Sequence, residues 1–145
     1  MAPRGDDPPW RSGPIVVGYD GSEAAQRAAD RAVALAGPGG RVALVAAFPP
    51  PVESLENELT ASPARGELVD LLREGSARCA GRDVDVSWRL VEGEPAEALA
   101  DVGREIDASL IVVGARGDSF VARTLRGSVA EKLVARAHCD VLAVR

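Results

Sequence analysis

Three segments of this sequence are apolar at consecutive positions: PIVVGY (14–19), RVALVAAF (41–48) and SLIVVG (109–114). A strand with one wet face alternates apolar and polar residues, so a strand without alternation must be covered on both faces. Covering both faces of a sheet calls for helices above and below it, which narrows the fold to a layered α/β arrangement. The intervening segments supply those helices. SEAAQRAADRAVALAG (22–37) predicts one, with Ala25, Ala28, Ala29, Ala32, Leu35 and Ala36 on its apolar face and Gly37 as its stop. ELVDLLREGSARCAG (67–81), EPAEALADVGREI (94–106) and VAEKLVARA (129–137) predict three more, Pro95 being tolerated in the first turn of its helix.

Two further strands complete the pattern. In DVDVSWRLVEG (83–93), Val84, Val86, Trp88 and Leu90 alternate with Asp83, Asp85, Ser87 and Arg89, which places this strand at a sheet edge. DVLAVR (140–145) is the last strand. Strands alternating with helices imply right-handed crossovers and one parallel sheet between helical layers. Ligands bind such sheets beyond the carboxyl ends of the strands, where strand order reverses. The segment 48–66, FPPPVESLENELTASPARG, interrupts the rhythm because its prolines exclude a regular helix at its start. Residues 1–13 are rich in Pro, Gly and charge and predict a disordered tail in which Trp10 alone is suited to packing. The domain is then 14–145, and its length of about 130 residues suits one core.

Charge narrows the function. The net charge of −5 disfavours a general nucleic-acid or anionic-membrane surface, both of which attract basic patches. Lys132 is the only lysine, and it follows Glu131 rather than glycine, so a Walker A phosphate loop is excluded. Cys79 and Cys139 are too few for a disulfide framework and lack metal-ligand spacing, which points to free thiols in a reducing cytoplasm. No apolar stretch approaches the ~20 residues of a membrane helix.

The turns at two strand ends carry the chemistry. YDGS (19–22) follows the first strand, and GARGDSFVARTLRGS (114–128) follows the fourth. Gly114 and Gly117 lack a Cβ, which lets backbone approach a phosphate or ribose and lets amides converge on an anion. Gly127 and Ser128 open a helix, whose unpaired amides and dipole favour an anion. Ser128 and Glu131 also have capping-box spacing, and a serine hydroxyl that accepts from a backbone amide still donates outward.

At these residues the chain resembles the universal stress protein family, in its small, single-domain, ATP-binding branch. The family's G-x2-G-x9-G-(S/T) motif reads here Gly114, Gly117, Gly127, Ser128, and its first-strand signature reads IVVGYDGS (15–22). The resemblance runs from about Pro14 to Arg145. It implies a Rossmann-like, three-layer, open parallel sheet of five strands in the order 3-2-1-4-5, and a homodimer in which strand 140–145 pairs with its copy. It also implies ATP between the first and fourth strands, usually with a divalent cation such as Mg or Mn. The role implied is regulation or sensing under stress, with little or no turnover.

Carried over to this sequence, the nucleotide contacts fall on Tyr19, Asp20 and Ala47 from the first two strand ends. From the glycine loop and the helix after it come Gly114, Arg116, Gly117, Gly127, Ser128 and Val129. Asp20 falls near the adenosine; by spacing alone it is equally an N-cap, with Glu23 three residues on. Ala47 matches a position where backbone meets adenine, and Tyr19, bulkier than the usual family residue, is suited either to stack on the base or to narrow the pocket. Arg116, Arg123 and Arg126 are bidentate donors suited to phosphate. Asp118 departs from the pattern, since a carboxylate directly after Gly117 repels phosphate unless it turns away or helps hold a cation. This residue supports a second reading, a stress protein that binds no ATP and works through protein contacts. His138, Cys139 and Asp140 are adjacent in sequence, and adjacency does not make a triad. No base is evident in the motif loops, so an enzyme is not expected.

Overall fold

A computed structural model describes residues 13–48, 65–115 and 128–145. The expected tail up to residue 12, the Pro-rich segment 49–64 and residues 116–127 of the glycine loop lie outside the described residues. The elements are β1 (Ile15–Gly18), α1 (Glu23–Ala36), β2 (Arg41–Phe48), α2 (Arg65–Cys79), β3 (Asp85–Glu92), α3 (Pro95–Glu105), β4 (Leu110–Gly114), α4 (Ser128–Arg136) and β5 (Asp140–Val144). All strand pairs are parallel, as the strand–helix alternation predicts, and the order is β3-β2-β1-β4-β5, as the family resemblance implies.

Alternate side chains of the central strands feed two separate cores, which is why the strands show no alternation in sequence. Ile15, Val17, Val42, Leu44, Leu110 and Val112 pack with α1 and α2 on one face. Val16, Val45, Ile111 and Val113 pack on the other with Leu99 of α3 and Leu133 of α4. The first face is lined with alanines 25, 28, 29 and 32, whose small side chains bring α1 close to the sheet. Val33 and Leu35 flank this stripe on opposite sides; Val33 is buried, whereas Leu35, expected inside, packs only at the rim.

The edge placement of β3 is correct, and its alternation gives a half-buried face of Val86, Trp88 and Leu90. It starts at Asp85 rather than Asp83 because Asp83 takes a left-handed φ of 59°, turning the chain into the sheet. α2 begins at Arg65, two residues before the expected start. There the Arg65 guanidinium lies 4.2 Å over the Phe48 ring and 3.4 Å from Glu92, holding the helix to the ends of β2 and β3. α3 starts on Glu94, whose two carboxylate oxygens accept from the amides of Ala96 and Glu97, each at 3.2 Å. At the foot of the sheet the Ser109 hydroxyl donates to the Gly13 carbonyl at 3.1 Å, seating the start of β1 beside β4.

Candidate nucleotide site at the ends of β1 and β4

Strand order reverses between β1 and β4, and the register there leaves a notch. The last β1 pairs are Gly18 with Val45 on one side and Val17 with Val112 on the other. β2 runs on through Ala46, Ala47 and Phe48, paired only with β3, and β4 runs on through Val113 and Gly114, paired only with β5. β1 is thus a short strand between two longer ones, and the walls above it stand two strand spacings apart, about 10 Å.

Ladder parity sets what those walls present, because N–H and C=O of one residue point to the same side and alternate along a strand. The Tyr19 amide donates to the Val45 carbonyl at 2.8 Å, so Val45 and then Ala47 direct their backbone groups towards β1. Phe48, which accepts from the Gly93 amide at 2.8 Å, points the other way, towards β3. On the opposite wall the Ala115 amide donates to the Val144 carbonyl at 2.7 Å, so Gly114, one residue earlier, faces the notch. Two backbone donor–acceptor pairs, those of Ala47 and Gly114, therefore look at each other across the space above Tyr19. The side chains of these two residues add little bulk, one being alanine and the other glycine.

Gly114 has a packing reason as well. A Cβ there would lie 2.8 Å from the backbone carbon and the Cβ of Ala24, and 2.9 Å from the Ala24 carbonyl oxygen. Only glycine lets the first turn of α1 cross the end of β4 so closely.

The turn that leaves β1 differs from expectation in two respects. Asp20 is not the helix cap. Ser22 is: its hydroxyl accepts from the Ala25 amide at 3.1 Å, with Ser22 itself in extended conformation. Asp20 stands one step earlier and accepts from the Ser22 amide at 3.0 Å, an Asx turn that hands the chain to the cap. Gly21, at φ 81°, supplies the left-handed residue between them. Tyr19 also departs from expectation. Its ring is only 5% exposed and belongs to the core under α2, so stacking on a base is not the role its packing gives it. Burial, its largest influence, holds the phenol above its usual pKa of 10.0.

Sequence reading missed the residues that hold this turn from α1 and α2. A Cβ at Gly75 would meet the Tyr19 ring at 2.6 Å, and one at Gly21 would meet the Leu71 side chain at 2.5 Å. Gln26 donates to the Gly21 carbonyl at 3.1 Å, and Arg78 donates in turn to the Gln26 side-chain oxygen. One signal was available: a glycine inside a helix, four residues after a leucine, in a chain whose single tyrosine directly follows the first strand.

Of the remaining site residues, Arg116, Gly117 and Gly127 lie outside the described residues, as do Asp118, Arg123 and Arg126. Ser128 and Val129 form the first turn of α4, with side chains outside the described set. The segment His138 to Asp140 sits at the opposite end of the sheet from the notch, and His138 Nε2 faces Asp107 at 3.6 Å. Cys79 and Cys139 are both free thiols, and burial raises the pKa of each. Among the described residues there is no cluster of three or more His, Cys, Asp or Glu able to hold a metal ion. Nor is any described helix long and apolar enough to cross a membrane.

Known proteins resemble this chain over nearly its whole length. The model of the universal stress protein family matches residues 12–145. A universal stress protein of Mycobacterium tuberculosis is 33% identical over 137 residues, covering 90% of this chain and 94% of the relative. One from Thermus aquaticus is 36% identical over 134 residues, with 90% and 97% covered. A solved universal stress protein in complex with cAMP superposes with a TM-score of 0.70 at 32% identity, over 92% of this chain and 96% of the other.

Proposed function

The chain belongs to the universal stress protein family, and on that footing we propose that it binds an adenine nucleotide in the notch above β1. The observation that carries this is the facing pair of backbone edges, Ala47 on β2 and Gly114 on β4, over a short β1. A base has donors and acceptors along its edge, and a backbone N–H with its neighbouring C=O matches such an edge without any side chain. In sequence the glycine motif that opens at Gly114 ends at the first turn of α4, and the N-terminal turn of a helix suits an anion. The cAMP complex of a relative at 32% identity supports the ligand class.

ATP, together with a divalent cation such as Mg or Mn, is the ligand proposed for this chain. Binding serves regulation in a cytoplasmic stress response, and turnover is slight, because phosphoryl transfer needs a positioned base or water-orienting group. Calorimetric titration with ATP, AMP and cAMP, with and without Mg or Mn, tests the reading. Saturable binding is expected, and none at millimolar nucleotide overturns it. Release of phosphate or pyrophosphate at enzymatic rates would overturn the regulatory part alone.

The protein is further proposed to be a dimer through β5. By ladder parity Val144 points to β4, so Val141 and Ala143 direct their N–H and C=O groups to the outer edge. Ala143→Pro removes an outward N–H and leaves the β4–β5 ladder intact, since proline is tolerated at an edge. Sedimentation should show a dimer for the parent chain and a monomer for this variant. A monomeric parent would refute the pairing.

A further inference from the structure

Four contacts from α1 and α2 converge on the turn 19–22, reaching Tyr19, Gly21 and Ser22 on either side of Asp20. Gly75 of α2 lies flat against the Tyr19 ring, where a methyl group would come within 2.6 Å of it. Leu71, one helical turn earlier on the same face, covers Gly21. Arg78, near the end of α2, donates to Gln26, and Gln26 donates to the Gly21 carbonyl. Arg78 is itself fixed by Asp30 at 2.9 Å. Ser22 closes the set by capping α1.

We infer that α2, acting through Gly75, Leu71 and the Arg78–Gln26 relay, positions the Asp20 turn and so sets nucleotide affinity. The inference rests on the proposed nucleotide reading for its functional half. Its structural half stands on the contacts alone. Asp20 sits between an anchored Tyr19 and a left-handed Gly21. A shift of α2 therefore reaches it through the Tyr19 ring, and a loss of the relay frees the Gly21 carbonyl to rotate. Tyr19, Gln26, Leu71, Gly75 and Arg78 are positioning residues in this account.

Two readings on each variant separate positioning from mere packing: affinity for ATP and cAMP, and hydrogen exchange at the Ser22 amide, whose proton is held by Asp20. Both are measured on the full chain well below Tm. Gly75→Ala should weaken binding and speed Ser22 exchange, each about tenfold, by opening the turn locally. Gln26→Met keeps the volume and removes both the donor to Gly21 and the acceptor for Arg78, with a loss of about threefold expected, chiefly from the Gly21 bond because Arg78 is exposed and finds water instead. Tyr19→Leu combined with Gly75→Ala makes room for the added methyl and should recover most of the affinity.

A lower Tm with unchanged affinity and unchanged Ser22 exchange would overturn the inference and leave α2 as packing only. If Gly75→Ala does not fold, Gln26→Met, a change between the two helices that adds no bulk, decides by the same readings. If the parent chain binds neither nucleotide, the nucleotide reading falls, and Ser22 exchange alone decides the clamp. Faster exchange in the variants supports it, and parental exchange refutes it.

Discussion

β1 and β4 lie side by side and every one of their residues is buried, yet they leave the sheet by opposite means. β1 exits through side chains: an Asx turn from Asp20, a cap from Ser22 and a tether from Gln26. β4 exits through the absence of one, since Gly114 lets the backbone of α1 pass across its end. The first kind of exit is held by several separable contacts of modest strength. The second depends on a single space that no side chain may fill. Damage to the two should differ accordingly, being graded at β1 and abrupt at β4.

The most severe effect is expected at Gly114. In Gly114→Ala the new methyl would lie 2.8 Å from the Ala24 backbone carbon, and backbone gives way less easily than a side-chain tip. A loss of about 3 kcal/mol, the upper end for overpacking, is expected in urea unfolding. Gly18→Ala on β1 is the control. Its methyl would meet only side-chain methyls, Leu99 Cδ1 at 3.1 Å and Val113 Cγ1 at 3.2 Å. Those side chains shift, and alanine also lowers the entropy of the unfolded chain, so the net change should stay within about 1 kcal/mol. Equal losses at the two positions would break the contrast.

This asymmetry also explains what sequence alone made legible. The layered parallel fold and the edge position of β3 were readable because burial on both faces and alternation leave direct marks on residue type, whereas the strand order followed only from the family resemblance. Val17 and Val112 are apolar for the same reason, and both marks survive in a single sequence. Gly114 was readable as a special position, although its close contact with Ala24 was not, because no local pattern encodes which helix crosses which strand. The Asp20 turn was misread for a related reason. Asp20 and Ser22 are both good cap residues, and the choice depends on where Gly21 turns the chain. Tyr19 misled because its bulk was weighed at the strand end, whereas its partner, Gly75, lies more than fifty residues away in sequence.

At the β1 exit the losses should be smaller and divisible. Ser22→Ala removes the acceptor for the Ala25 amide and should cost about 1 kcal/mol, the usual value of a helix cap. Ser22→Asp, which retains an acceptor in the first turn and places a negative charge at the helix N-terminus, should recover most of it. Thermal unfolding of both variants measures this. A loss in Ser22→Ala as large as that in Gly114→Ala would mean that the turn has no independent supports, and the graded picture of this exit would fail.

The smallest effect is expected from the Tyr19 hydroxyl, and it appears only in alkali. Burial raises the phenol above 10.0, so the folded chain binds that proton more tightly than the unfolded chain does. The resulting stability is complete below pH 10 and is lost as pH rises through the folded value. Cys79, raised above 9.0 by burial in the same core, contributes in the same direction from a lower pH. Tyr19→Phe separates the two, because it abolishes the phenol's share while leaving the thiol's. Since the chain has one tyrosine, tyrosinate absorbance follows this residue alone. Its midpoint should lie above 10 in the folded protein and fall towards 10 in urea. It should also fall in Gly75→Ala, where the added methyl forces the ring from under α2. A midpoint that stays at its parental value in folded Gly75→Ala would show that the ring keeps its place without Gly75, and that the β1 exit is held by the Asx turn, the cap and the Gln26 tether.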